Sequence, residues 1–125
     1  MLVDTDVIIW YLRGEKKAVT LIDGMGPFVL SAVSYMEILH GLRNKAELRA
    51  WKAYVKAKGV QVLLIDHDVT AKALYWTEEY ALSHGLRLAD ALIAATADVY
   101  GHDLLTGNYV DYRFIPGLSI KPFKP

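Results

Sequence analysis

The sequence predicts an α/β protein, a three-layer α/β/α arrangement around a central, mostly parallel five-stranded sheet. Three observations predict it. Five short β-prone runs, Leu2-Val3, Phe28 to Leu30, Val60 to Ile65, Asp103 to Thr106 and Leu118 to Ile120, alternate with segments of helical period, the order expected of a parallel sheet covered on both faces. One of those helical segments, Arg87 to Tyr100, is apolar almost all round and should therefore be central. The chain has 125 residues, 54% of them hydrophobic, which suits a single domain over 1–125 with one continuous core and argues against disorder.

The elements follow in order. Leu2-Val3 is a short first strand, Asp4-Thr5-Asp6 the turn out of it, and Val7 to Leu12 the first turns of a buried helix that stops near Gly14. Glu15 to Asp23 is a second helix, ended by Gly24-Met25-Gly26-Pro27. Ser31 closes the second strand and opens a helix through Arg43, broken at Asn44. In the helix from Lys45 to Lys58, Leu48, Trp51 and Val55 share one face, while Lys45, Arg49, Lys52 and Lys56 line another. That basic row is either a solvated face or a contact for a phosphate backbone. Gly59 ends the helix, and Asp66 and Asp68 cap the next, Val69 to Ser83, which stops at His84-Gly85. Gly107 to Gly117 reads as a loop.

Composition excludes several classes of function. Lys plus Arg and Asp plus Glu are 14 each, so no global positive field marks a nucleic-acid binder, and a polyanion would have to be held locally. The absence of cysteine removes disulfides, thiolate nucleophiles and zinc-cysteine sites. Acids at positions 4 and 6, with no basic segment before an apolar stretch, do not read as a secretory signal. The apolar runs fall well below the roughly 20 residues that span a bilayer. A soluble cytoplasmic protein without membrane association is expected.

Three acids fit a purely structural reading poorly. Asp4 follows the first strand, where an open α/β sheet binds its ligands, although Asp4 and Asp6 could equally cap the helix after them. Glu37 stands among Met36, Ile38 and Leu39, with the small Ser34 and Gly41 one turn away on its own face; its bland alternative is a surface pair with Arg43 or Lys45. Asp90 is the lone charge within the most apolar helix. It is favoured there by the helix dipole, by roughly 0.3–1 kcal/mol, with Arg87 as one available partner. Burying the three acids together would be strongly unfavourable, because close like charges and desolvation raise their pKa values. A divalent cation removes that conflict. Oxygen-only ligands suit Mg²⁺ or Mn²⁺, and His40, His67, His84 and His102 show no zinc spacing.

Four blocks then resemble a known family. LVDTDVII at the start, S-x-x-S-x-x-E-I-L from Ser31 to Leu39, L-x-x-A-D-A-L-I-A-A-T-A from Leu86 to Ala97, and L-L-T-G-N-x-x-D-Y-x-x-I-P-G-L from Leu104 to Leu118 are together similar to the PIN domain. More narrowly they resemble the VapC-type toxin ribonucleases of toxin–antitoxin pairs. The likeness runs in order along practically the whole chain. It implies a PIN-like fold with Asp4, Glu37 and Asp90 as the acids of a metal site, Thr106 beside Asp4, and position 108 completing the acidic pocket. Asn108 stands where aspartate is frequent, with Asp111 close enough in sequence to substitute for it, and Asp6 stands where Asn or Ser is usual. The resemblance further implies a cytoplasmic, homodimeric, Mg²⁺-dependent endoribonuclease that a cognate VapB-like antitoxin neutralises, often with an arginine placed in the pocket.

Such a site supports metal-assisted hydrolysis of RNA phosphodiesters, with affinity drawn from a few local cations and from stacking on aromatics such as Tyr109 or Tyr112. Two rival readings remain. A PIN-like RNA- or protein-binding module without catalysis would explain Asn108. A phosphate-accepting receiver module, with Asp66 as acceptor, Thr106 as switch hydroxyl and Lys121-Pro122 as its final turn, has similar length. It lacks a closing helix and leaves Glu37 and Asp90 unexplained.

Overall fold

A computed structural model describes residues Met1–Pro125. Strands β1 (Leu2–Val3), β2 (Val29–Ser31), β3 (Gln61–Leu63), β4 (Leu104–Thr106) and β5 (Ile120–Pro122) form one sheet in the order β3-β2-β1-β4-β5. Every neighbouring pair is parallel. Leu2 lies opposite Leu104 and Val3 opposite Leu105, so the chain leaves the centre leftward through β2 and β3 and rightward through β4 and β5. The switch point therefore falls between the carboxyl ends of β1 and β4, where such sheets open a crevice.

Alternation along the strands divides the core in two, because successive side chains point to opposite faces. Leu2, Val29, Leu63 and Leu104 join one cluster with Val69, Ala73 and Trp76 of α5 (His67–His84), and with Ala91, Ile93 and Ala94 of α6 (Leu88–Val99). Val3, Leu30 and Leu105 join the other with Val7 and Ile8 of α1 (Thr5–Leu12), Ala18 and Ile22 of α2 (Lys16–Gly24), and Trp51 of α4 (Lys45–Lys58). Helix α3 (Ala32–His40) contributes to both, with Val33 in the first and Ile38 in the second. The result is the predicted three layers, with a sheet that is parallel throughout.

The differences from expectation have local causes. Helix α1 starts at Thr5 because Asp4 is its N-cap, accepting from the Thr5 N–H at 2.8 Å. Helix α3 ends at His40, where Gly41 caps it, and not at Arg43. Of Leu48, Trp51 and Val55, only Trp51 is buried, and Lys45, Arg49, Lys52 and Lys56 all face solvent. The stretch read as a loop holds a single helical turn, α7 (Tyr109–Tyr112), because Tyr112 and Ile115 are buried and anchor it. The last strand is displaced from Leu118–Ile120 to Ile120–Pro122. Its register is fixed by Thr106 opposite Pro122, by the Phe123 N–H donating to the Thr106 carbonyl at 2.8 Å, and by the Phe123 ring entering the core. A proline is tolerated there because β5 is an edge strand.

Helix α3 carries Glu37 and is entered through Ser31, whose hydroxyl accepts from the Val33 N–H at 3.0 Å. Loss of an N-cap of this kind costs about 1 kcal/mol. We therefore expect Ser31→Ala to lower the urea midpoint by a corresponding amount with no change in the slope of the transition.

Candidate active site

Asp4 occupies the switch point. It is 3% exposed, and both of its oxygens are held: Oδ1 by the Thr5 N–H at 2.8 Å, Oδ2 by the Thr106 hydroxyl at 2.7 Å. Thr106 in turn accepts from the Asn108 N–H at 2.9 Å, which directs its proton toward Asp4. Burial, and secondarily the negative charge of Asp6, push the Asp4 carboxyl up to about 6 despite the hydrogen bonds it accepts.

Asp90 lies in the first turn of α6, half-buried, and accepts from the Tyr112 hydroxyl at 3.1 Å. Its carboxyl is also raised to about 6, first by burial and then by the charges of Asp4, Asp111 and Glu37. Arg87 forms no ion pair with it. Tyr112 is fully buried, so it cannot stack on a nucleobase. Burial and the charges of Asp4 and Asp90 drive its ionisation far upward, which keeps the phenol a proton donor to the acids.

Glu37 reaches the same place from α3. Its Oε1 lies 2.7 Å from the Thr5 hydroxyl, which is itself 2.8 Å from that of Ser34. A carboxylate only accepts, so the Thr5 proton is directed to Glu37 and Ser34 supplies its own to Thr5. The surface alternative does not occur: Arg43 pairs with Glu47 at 2.8 Å, and no ion pair joins Glu37 to Lys45. Ser34 thus supports Glu37 by hydrogen bonding rather than by leaving space.

Asp6 is not the cap of α1. Its Oδ1 accepts from the adjacent Val7 N–H at 2.8 Å, and its Oδ2 from the Gly107 N–H at 2.9 Å. Asp6 therefore ties the start of α1 to the segment after β4. Burial raises its pKa and the Gly107 N–H offsets part of the rise. A Cβ at position 107 would lie 2.5 Å from Asp6 Oδ2, so any larger residue there must push the Asp6 carboxylate aside and strain its bond to the position-107 N–H. Asn108 is exposed and its side chain makes no capping bond to α7. Asp111 is also exposed, and its charge is felt at Asp90.

The electrostatics of the pocket point one way. Asp4, Asp6 and Asp90 are all shifted upward, and none of the ion pairs, Arg43–Glu47, His67–Asp68 and Lys72–Asp98, involves them. A divalent cation fits this charge and the all-oxygen donor set. No three of these side chains stand close enough to hold an ion by themselves. A cation held here would have to keep part of its water shell, as Mg²⁺ can.

The family model described as the PIN domain matches residues 1–114. This chain belongs to the PIN domain family. Among curated relatives it is similar to ribonuclease VapC19 of Mycobacterium tuberculosis, 34% identical over an alignment of 123 positions that covers 94% of this chain and 96% of the relative. Ribonuclease VapC10 of the same organism is 33% identical over 112 residues, 86% of this chain and 82% of the relative. Among solved structures, a toxin-antitoxin complex from Klebsiella pneumoniae superposes with a TM-score of 0.78 at 26% identity, covering 99% of this chain and 98% of that one.

Thr5, Gly107 and the buried role of Tyr112 escaped the sequence reading of this PIN domain. The T of the D-T-D turn could have been found from the turn itself. Nothing in the spacing connects Tyr112 to Asp90.

Two outcomes follow. A carboxyl whose folded pKa is raised from 3.8 to about 6 binds its proton more tightly when folded. Its contribution to stability is therefore favourable at low pH and is lost as pH rises through about 6. For Asp4 the resulting cost at neutral pH is about 3 kcal/mol; for the more exposed Asp90 it is smaller. With chelator present, the thermal midpoint should fall as pH rises from about 4 to just above 6 and level off by about pH 7, less steeply in Asp90→Asn, and Mg²⁺ should raise it at neutral pH more in the native protein than in that variant. Gly107→Ala should destabilise the protein by about 1–3 kcal/mol through overpacking against Asp6, read by denaturant unfolding.

Proposed function

We propose that this PIN domain protein is a VapC-type toxin, an endoribonuclease that hydrolyses RNA phosphodiester bonds with Mg²⁺ or Mn²⁺ and is neutralised by a cognate VapB-like antitoxin. The observation that carries the reading is the set of carboxylates converging at the β1/β4 switch point with no ion pair to a lysine or arginine, in a chain similar over nearly its full length to a ribonuclease. The antitoxin partner is supported by the likeness to a toxin-antitoxin complex. We assign the active form as a homodimer acting in the cytoplasm; no helix is long and apolar enough to cross a membrane.

Asp4 and Asp90 would hold the cation, with Glu37 ligating directly or through water. The cation supplies activation of water and neutralisation of charge developing on the phosphate. The chain's own residues supply order. Thr5 and Thr106 fix the two oxygens of Asp4, Tyr112 fixes Asp90, and the Ser34–Thr5 hydroxyl pair fixes Glu37. Because these donors are in place beforehand, little reorganisation is needed as charge moves onto the phosphate. Asp6 and Gly107 hold the β4–α7 junction against α1 and so keep Thr106 in register with Asp4.

The binding-module reading drew on Asn108. Asp111 brings a negative charge to Asp90, which favours an intact nuclease in which Asp111 takes the place of the acid missing at position 108. The receiver reading loses its acceptor, since Asp66 caps α5 by accepting from the Val69 N–H at 2.9 Å.

Asp4→Asn and Asp90→Asn should each reduce cleavage of single-stranded RNA by at least about a hundredfold while the circular dichroism spectrum is retained, and chelator should abolish cleavage by the native protein. Undiminished cleavage by purified Asp90→Asn would overturn the assignment.

A further inference from the structure

Helix α7 has a second use. Tyr112 turns inward to Asp90, whereas Tyr109, Val110, Asp111 and Arg113 line a cleft of about 480 Å³ with Phe114 and His84, the last residue of α5. That volume lies in the range of small-ligand sites. One wall is aromatic: the His84 ring lies flat on Phe114, with centroids 4.4 Å apart and planes at 15°, and Phe114 meets Tyr80 at 5.3 Å. Tyr109 is 45% exposed, and no side-chain hydrogen bond or ion pair ties down Arg113, which is also exposed. Asp111 lines the cleft directly before Tyr112, whose hydroxyl donates to Asp90 at 3.1 Å, so the cleft and the acids share one helical turn.

The chemistry of a polyanion makes this placement consequential. The protein has no net charge, and its acidic pocket repels every phosphate except one held on a bound divalent cation. A phosphate beside that one needs a local cation, and its base needs a flat surface. The turn that positions Asp90 offers both.

We propose that this cleft is a subsite for the nucleotide adjoining the scissile phosphate of single-stranded RNA, with Arg113 paired to its phosphate and Tyr109 stacked on its base. The proposal rests on the nuclease reading given above and adds a residue-level account of substrate binding to it.

The test uses a short labelled single-stranded RNA that the native protein cleaves. Turnover is measured with Mg²⁺, and equilibrium binding is measured by fluorescence anisotropy in the cleavage-dead Asp90→Asn background. Tyr109→Ala should raise KM and Kd about tenfold, with the loss falling on KM rather than kcat and Tyr109→Phe restoring both. Arg113→Ala should weaken binding and reduce the slope of log Kd against log salt by about 0.7, with Arg113→Lys restoring the slope. Both side chains are exposed, so neither substitution disturbs the core. If the native protein cleaves RNA while Tyr109→Ala and Arg113→Ala leave KM, Kd and the salt slope unchanged, the subsite is wrong and the nuclease stands. If the native protein cleaves no RNA and the Asp90→Asn protein binds none, the nuclease reading fails and the subsite falls with it.

Discussion

Carboxylates that repel one another, and that no lysine or arginine neutralises, are gathered where the sheet reverses its direction. Asp4 is buried to 3% exposure with its pKa driven up by lost solvation, Asp90 is raised by Asp4, Asp111 and Glu37 in addition to burial, and only hydrogen bonds from Thr5, Thr106 and Tyr112 soften the conflict. A fold selected for stability alone would pair or remove these groups. The remaining architecture makes sense as the means of keeping them together.

Three separate elements converge to do so. The β1–α1 junction presents Asp4 and Thr5, α3 presents Glu37 and Ser34, and the first turn of α6 presents Asp90. The register of β1 with β4 then sets Thr106 against Asp4. Hydroxyl groups occupy the positions where ammonium or guanidinium groups would cancel the negative field. Their protons orient the carboxylates while leaving the charge of the pocket available to a cation.

Much of this was legible in the sequence. Asp90, alone in an apolar helix, and Asp4, straight after the first strand, announced themselves by violating the burial pattern around them, and the helix from Lys45 to Lys58 was bounded by its cap at Asn44 and its left-handed Gly59. The hydroxyl pair joining Thr5 to Ser34 was not legible, because it depends on two helices meeting, and no periodicity encodes that. Tyr112 was misread as a surface ring for the same reason: Pro116 and Gly117 signal irregular chain, and only the packed structure shows a turn pinned by a buried phenol. The last strand was misplaced because its pairing residues, Lys121 and Pro122, are poor strand formers in isolation. They hold their place through β4 and through the anchoring of Phe123.

That unpromising last strand has a consequence of its own. An all-parallel sheet ends in open ladders, and an open ladder invites another chain to add a strand and begin a fibre. On the β5 side the outermost positions are an exposed lysine and an exposed proline. One brings a charge that resists stacking, and the other has no amide hydrogen to donate. Strand addition along that border is thereby disfavoured, which leaves β3 as the edge of the sheet with unpaired backbone groups free to pair.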